Sequence, residues 1–307
     1  MSPQIIIEPG KVISWSEFCD THPTNSIALD GYVYGEPQFH PDGYANFNHH
    51  EEVFRLATRA TAAQVLIAIR MGLFQAFDWN NLKIFVNDCD EDVCSAIFLL
   101  NNPRLVMSPS NPAINRFIQL VDFLDTTAGA YPFPVELDYS AQLRWVFLPY
   151  RMFRKSGINN KNPDEFRSII TDVGNRIMSL VLGSSGAIHN LDTEFQVINI
   201  GKKGWKMVRE IGTDSRIAMF NSGILAFASV LGEKDGIYRY VIGRLSPFIS
   251  WFPLRAIFTV LNETEGISNE SFDRWDGGDD IGGSPRSSGS SLNPNQLFEI
   301  INNIVIE

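Results

Sequence analysis

Residues 82–101 read LKIFVNDCDEDVCSAIFLLN. The first part, 82–87, is a short apolar run ending on polar residues, the mark of a buried strand. Residues 93–101 are apolar over enough length to form a helix. Between them Asp88, Asp90, Glu91 and Asp92 crowd an acidic turn. A strand that passes through a turn into a helix is the unit from which α/β proteins are built, and the pattern continues outward. Short apolar runs at 26–29, 195–200, 224–230 and 238–242 each end at Gly, Asp or a polar cluster. Residues 60–77 place Val65, Ile69, Leu73 and Phe77 on one helix face. Further helices are predicted over 113–124, 163–181 and 294–304. Asn162 stands as N-cap and Pro163 at the first position of the 163–181 helix. The expected architecture is α/β: a parallel-sheet domain over 1–182, a small polar linker at 183–191 and a smaller α+β domain over 192–307. The stretch 273–291 (DRWDGGDDIGGSPRSSGSS) is rich in Gly and Ser and reads by composition as a flexible loop.

The chain's 307 residues suit two domains. Acidic residues outnumber basic ones, 35 to 25, for a net charge of −10. That balance argues against a protein that coats long nucleic acid. Three cysteines, Cys19, Cys89 and Cys94, are an odd number in a long chain and predict a reducing, cytoplasmic setting. The first ten residues, MSPQIIIEPG, lack the basic segment of a signal peptide. The apolar stretch at 223–232 falls short of the ~20 residues a membrane span needs, so no membrane association is expected.

Four clusters carry groups that bind metals. Asp30 ends the apolar run SIALD, and the carboxyl edge of a parallel sheet is where α/β proteins collect ligands; alone it reads more readily as a plain strand-to-turn residue. His49 and His50 lie together in NFNHHEE, two of only five histidines. The acids at 88–92 repel one another and raise each other's pKa values unless a cation is present. Helix caps explain one or two of them. A calcium loop does not: its sixth position would be Val93 instead of Gly and its twelfth Leu99 instead of Glu. Asp122 and Asp125 precede a small-residue turn in VDFLDTTAGAYPF, with an N-cap at Asp125 as the plainer alternative. Carboxylates with some imidazole suit Mn²⁺ or Mg²⁺ better than a thiolate zinc site. Two such ions at ~3.5–4 Å clamp a phosphoryl group and activate water.

These motifs resemble those of the DHH phosphoesterase superfamily. Asn48-His49-His50, followed by the small residues of 58–63, is similar to the family's Asp-His-His. Asp30 matches the single strand-end Asp. Asp90-Glu91-Asp92 with Ser95 and Ala96 matches Asp-x-Asp before a helix. Asp125-Thr126 resembles the Asp-Thr turn, with Asp122 as a competitor. In the C-terminal part, IGRLS at 242–246 and GGDDIGGSPRSSG at 277–289 look like the associated domain's Arg-x-Ser strand and glycine-rich substrate loop. The motif order is permuted, Val86 stands where the family carries a histidine, and Asn48 stands where it carries Asp.

The resemblance implies hydrolysis of a phosphoester or phosphoanhydride, with one or two Mn²⁺ or Mg²⁺ ions. Asp30, His49, Asp90, Asp92 and Asp125 would hold metal, and His50 would act with Asp90 and Asp92 in catalysis. Arg244, Ser246, Gly282, Gly283 and Arg286 would hold a substrate phosphate. The net charge favours a small phosphorylated ligand or a short oligonucleotide, and a homodimer is compatible with the family. The alternative is a catalytically silent nucleotide-binding protein of the same fold. Three expectations follow: loss of Asp90 or Asp92 leaves the fold intact, Asn48→Asp raises metal affinity, and Arg286→Ala weakens ligand binding.

Overall fold

A computed structural model describes residues 3–107, 111–129, 138–157, 162–184 and 191–306. The protein is α/β, and the chain divides into two compact units. One comprises Met1–Thr126 and Asp138–His189, the other Thr127–Leu137 and Asn190–Glu307. Of the expected linker, residues 185–190 lie outside the described residues.

In the first unit the chain runs through β1 (Gln4–Ile7), α1 (Trp15–Thr21), β2 (Ser26–Leu29), β3 (Gln38–His40) and β4 (Tyr44–Phe47). It continues through α2 (Thr61–Arg70), α3 (Leu73–Ala76), β5 (Lys83–Val86), α4 (Glu91–Asn101) and α5 (Pro103–Met107), then α6 (Pro112–Thr126), α7 (Asp138–Gly157) and α8 (Pro163–Val181). The sheet order is β1-β5-β2-β4-β3. The first four strands are parallel, and β3 closes one edge antiparallel to β4. Strands covered on both faces read as continuous apolar runs, and β2 and β5 show why. Ile27, Leu29, Ile84 and Val86 pack into the larger core with residues of α2, α4, α6 and α8. Ala28 and Phe85, with the opposite alternation, pack with Phe18, Tyr32 and Val33.

The helix expected over 60–77 breaks at Gly72, whose φ of 105° is open to glycine and costly to other residues. The turn separates α2 from α3 and leaves Phe77 beyond the helix. Helix α8 begins as expected, with the Asn162 side chain accepting from the Asp164 N–H. Asp125 is not an N-cap: it lies in the last turn of α6.

The second unit contains β6 (Phe195–Ile200), β7 (Lys206–Glu210), α9 (Ser215–Asn221), β8 (Ala226–Lys234), β9 (Ile237–Arg244), α10 (Leu254–Thr264), β10 (Asp276–Gly277), β11 (Ile281–Gly283) and α11 (Pro294–Ile304). The sheet order is β10-β11-β9-β8-β7-β6, with only β7 and β8 parallel. Trp205, Met207, Tyr240 and Ile242 pack on Phe258, Leu261, Leu297 and Ile301.

The glycine-rich stretch is not a loop throughout. It forms the β10–β11 hairpin, and β11 pairs with β9. A Cβ on Gly277 would lie 2.2 Å from the Gly282 Cα. One on Gly282 would lie 2.5 Å from both the Asp276 carbonyl oxygen and the Phe258 ring. These glycines admit close strand packing. Among the described residues no helix is long and apolar enough to cross a membrane.

Candidate metal centre

Three parallel strands deliver the polar residues to one edge of the first sheet. Asp30 follows β2 with φ 51°, next to Gly31 at 83°. The Asn87 side chain, just after β5, donates to the carbonyls of Gly31 and Lys11, both at 2.9 Å, and ties down this left-handed turn. His49 and His50 follow β4, and Asp90 and Asp92 follow β5. Asp125 arrives from the end of α6.

His49 is the centre of the cluster. Its side chain is fully buried, and its Nε2 lies 2.5 Å from Asp125 Oδ2, 3.5 Å from Asp30 Oδ1 and 3.6 Å from Asp92 Oδ2. Yet among the described residues neither ring nitrogen of His49, nor Asp125 Oδ2, makes a properly directed hydrogen bond. Buried polar atoms without partners are costly and uncommon. His50, with 28% of its side chain exposed, places Nε2 2.9 Å from Asp30 Oδ1. Thr61 donates its hydroxyl to the same oxygen at 2.9 Å.

The charges pull in opposite directions. Burial pushes the Asp30 carboxyl up, but His50, His49 and the Thr61 hydroxyl outweigh it and hold the group well below the usual carboxylate range. Burial lowers His50, and its pairing with Asp30 overcomes this, lifting the imidazole to about 9. Asp90 and Asp92 move the other way. Burial raises both well above the ordinary value, and neighbouring carboxylates, Asp30 and Asp125 among them, add to it. A divalent cation at such a cluster would reverse that balance.

Two groups of potential ligands emerge: Asp30 with His49 and His50, and His49 with Asp92 and Asp125. Asp30, His49, His50, Asp92 and Asp125 therefore converge as the sequence suggested. Asp90 is in neither group. It is the N-cap of α4, its Oδ1 accepting from the N–H groups of Asp92 at 3.1 Å and Val93 at 2.9 Å. Asp122 also faces elsewhere: it accepts from the Ala60 N–H at 2.7 Å and pairs with Arg59 at 3.0 Å. Glu91 pairs with Arg151. Residues 130–133, the end of the fourth motif, lie outside the described residues.

Two side chains behave differently from their sequence reading. Asp92 accepts from the Thr61 N–H at 2.6 Å and the Ala62 N–H at 2.8 Å, so it holds the start of α2 as well as facing His49. Asn48 is fully buried with its amide saturated. Its nitrogen donates to the Gly35 carbonyl at 2.8 Å and to Glu51 at 2.7 Å, and its oxygen accepts from the N–H groups of His49 and His50. It shapes the turn that presents the two histidines. The sequence reading missed Thr61 and Arg55. Thr61 had a signal, a hydroxyl at the mouth of an apolar helix; Arg55 had none beyond its nearness to His50.

The residues assigned to phosphate binding in the second unit are engaged within that unit. Arg244 donates to the carbonyls of Asp279 at 2.9 Å, Ile249 at 3.3 Å and Phe252 at 3.4 Å. Ser246 accepts from the Phe248 N–H. Gly282 and Gly283 belong to β11. Arg286 is exposed, and its carbonyl accepts from Arg239. The backbone N–H groups of Ser287 and Ser288 bind an anion of the chain's own, the Asp273 carboxylate, at 2.8 Å each.

No protein-family model matches this chain, and no curated protein matches it.

Proposed function

We propose that the edge of the first sheet binds a divalent cation, Mn²⁺ or Mg²⁺, and that the protein hydrolyses a phosphoester or phosphoanhydride bond in a small phosphorylated substrate. The observation that carries this reading is His49: a fully buried imidazole, with no hydrogen-bond partner at either nitrogen among the described residues, facing three carboxylates. Oxygen donors with one imidazole suit a hard dication. Asp30, Asp92 and Asp125 all approach the same His49 nitrogen, Nε2, and one nitrogen binds one ion, so the arrangement favours a single cation. The resemblance to the DHH superfamily supports the reaction class.

A cation held by His49, Asp92 and Asp125, with Asp30 beside the same imidazole, would supply Lewis acidity and lower the pKa of water. The chain does the rest. Thr61 and His50 fix the Asp30 carboxylate through two contacts on one oxygen. The backbone of α2 fixes Asp92. His50 is partly exposed, and its pairing with Asp30 favours the protonated form, so it would stabilise charge developing on a phosphoryl oxygen and supply a proton to the leaving oxygen.

Mn²⁺ titrated into metal-free protein tests the reading by calorimetry and by melting temperature. The expected result is one equivalent bound and a rise in melting temperature that grows with concentration, both lost in His49→Ala. No binding by the wild type sinks the proposal. Metal binding without turnover of pyrophosphate or short dinucleotides, across a range of Mn²⁺, would instead leave the silent nucleotide-binding alternative.

A further inference from the structure

An anionic substrate approaching this edge meets three carboxylates around His49, more than one dication offsets, so it needs a further cation. The nearby arginines mostly have carboxylate partners. Arg59 is 3.0 Å from Asp122 and Arg151 is 2.8 Å from Glu91. Arg55 differs. It stands in a short 3₁₀ turn, Arg55–Ala57, five residues after His50. One arm of its fork is anchored, Nη2 donating to the Asp125 main-chain carbonyl at 2.7 Å and lying 3.5 Å from Asp125 Oδ1. Its Nε is buried and finds no acceptor among the described residues.

Resting on the reading of a metal-dependent phosphoester site, we propose that Arg55 is the residue that grips the substrate's phosphoryl oxygens. The first unit then carries its own phosphate-binding cation beside the metal ligands. A planar guanidinium presents its N–H groups in a rigid fork that matches two oxygens of a phosphate. The anchor on Asp125 holds that fork still, so little freedom is lost when the ligand arrives. The buried Nε–H gains the acceptor it lacks, which is a gain specific to the liganded state. The ligand class is a phosphate carried on a small molecule, held by one cation, one imidazolium and one guanidinium.

The test compares wild type, Arg55→Ala and Arg55→Lys in two calorimetric titrations: Mn²⁺ into metal-free protein, and inorganic phosphate into Mn²⁺-loaded protein. The expected result is unchanged Mn²⁺ affinity in all three, and phosphate affinity weakened roughly 10- to 100-fold in Arg55→Ala. Arg55→Lys, which keeps the charge and loses the fork, falls between. Phosphate bound equally by all three Mn²⁺-loaded proteins overturns the role of Arg55 and leaves the metal reading standing. Mn²⁺ and phosphate affinities falling together show that Arg55 acts only by positioning Asp125, which also overturns it. A wild type that takes up no Mn²⁺ removes both readings. Should Arg55→Ala lose its cooperative melting transition, Arg55→Lys decides.

Discussion

The carboxyl edge of the first sheet and the glycine-rich hairpin of the second unit look alike in sequence: polar residues at strand ends, small residues, chemistry suited to phosphate or metal. In three dimensions they differ in how their polar atoms are used. At the hairpin the atoms that would meet a phosphate already have partners. Asp273 fills the Ser287–Ser288 amides, and Glu265 receives Trp275, Ser290 and Ser291. At the sheet edge, the buried ring of His49 and the buried Oδ2 of Asp125 face one another, and among the described residues neither makes a properly directed hydrogen bond. Closed polar networks stiffen a fold, and open buried ones mark a place where something binds. Residue types alone do not separate the two cases.

The largest effect that sharpens this comparison concerns Asp92, which belongs to both kinds. Removing a metal ligand from an empty acidic cluster was expected to leave the fold intact. Asp92→Ala instead strips the acceptor from two buried N–H groups at the start of α2. Hydrogen bonds to charged groups are worth ~1.5–3 kcal/mol each, and relief of like-charge repulsion offsets part of the loss. A net destabilisation of about 3 kcal/mol in metal-free protein, read by urea unfolding of the full chain, is the expected outcome. Asp90→Ala, the loss of an N-cap, should cost about 1 kcal/mol. Equal costs would show that Asp92 does not hold α2.

Next in size is Gly282→Ala. The added methyl meets the Asp276 carbonyl and the Phe258 ring at 2.5 Å, and overpacking of this kind costs about 1–3 kcal/mol. A flexible phosphate loop would tolerate the change, so an unaltered melting temperature breaks the comparison from the hairpin's side.

Asn48→Asp follows. The family pattern made an Asp here look like a gained metal ligand. The structure gives the opposite sign, because the Asn48 nitrogen donates to the Gly35 carbonyl and to Glu51. A carboxylate would face both acceptors without a proton to offer. The expected cost is about 1–2 kcal/mol with no gain in Mn²⁺ affinity. Tighter Mn²⁺ binding would restore Asn48 to the ligand set.

What was legible in the sequence follows the same physical line. Elements defined by local patterns came through: β2 and β6 as apolar runs, and α8 and α11 by Asn and Pro at their starts. Strand β4 (Tyr44–Phe47) carries Asn46 in a buried position and offered no run to detect. Helix α7 holds Pro149 within a mixture of aromatic and basic residues. The site was legible as a set of residue types at strand ends. The resemblance preferred Asp125 to Asp122, but residue types alone did not decide between them, since the choice depends on Ala60 and Arg59 drawing Asp122 away. Nor was the saturation of Asn48 legible: its partners Gly35 and Glu51 flank it on separate turns.

The smallest effect is the one expected of Arg286→Ala, and it tests the hairpin most directly. The family pattern made Arg286 a phosphate ligand, for which truncation weakens binding tenfold or more. In the fold its side chain is exposed, and the contact that matters is its carbonyl, which any residue supplies to Arg239. The substitution should therefore change stability by less than about 0.5 kcal/mol and leave phosphate affinity of the Mn²⁺-loaded protein as it was. Arg244→Ala is the internal contrast. It removes a guanidinium that ties Asp279, Ile249 and Phe252 together, so it should destabilise by ~1.5–3 kcal/mol, again without touching phosphate affinity. A drop in phosphate affinity in Arg286→Ala at unchanged stability would return the hairpin to the ligand-binding machinery and erase the distinction between the two regions.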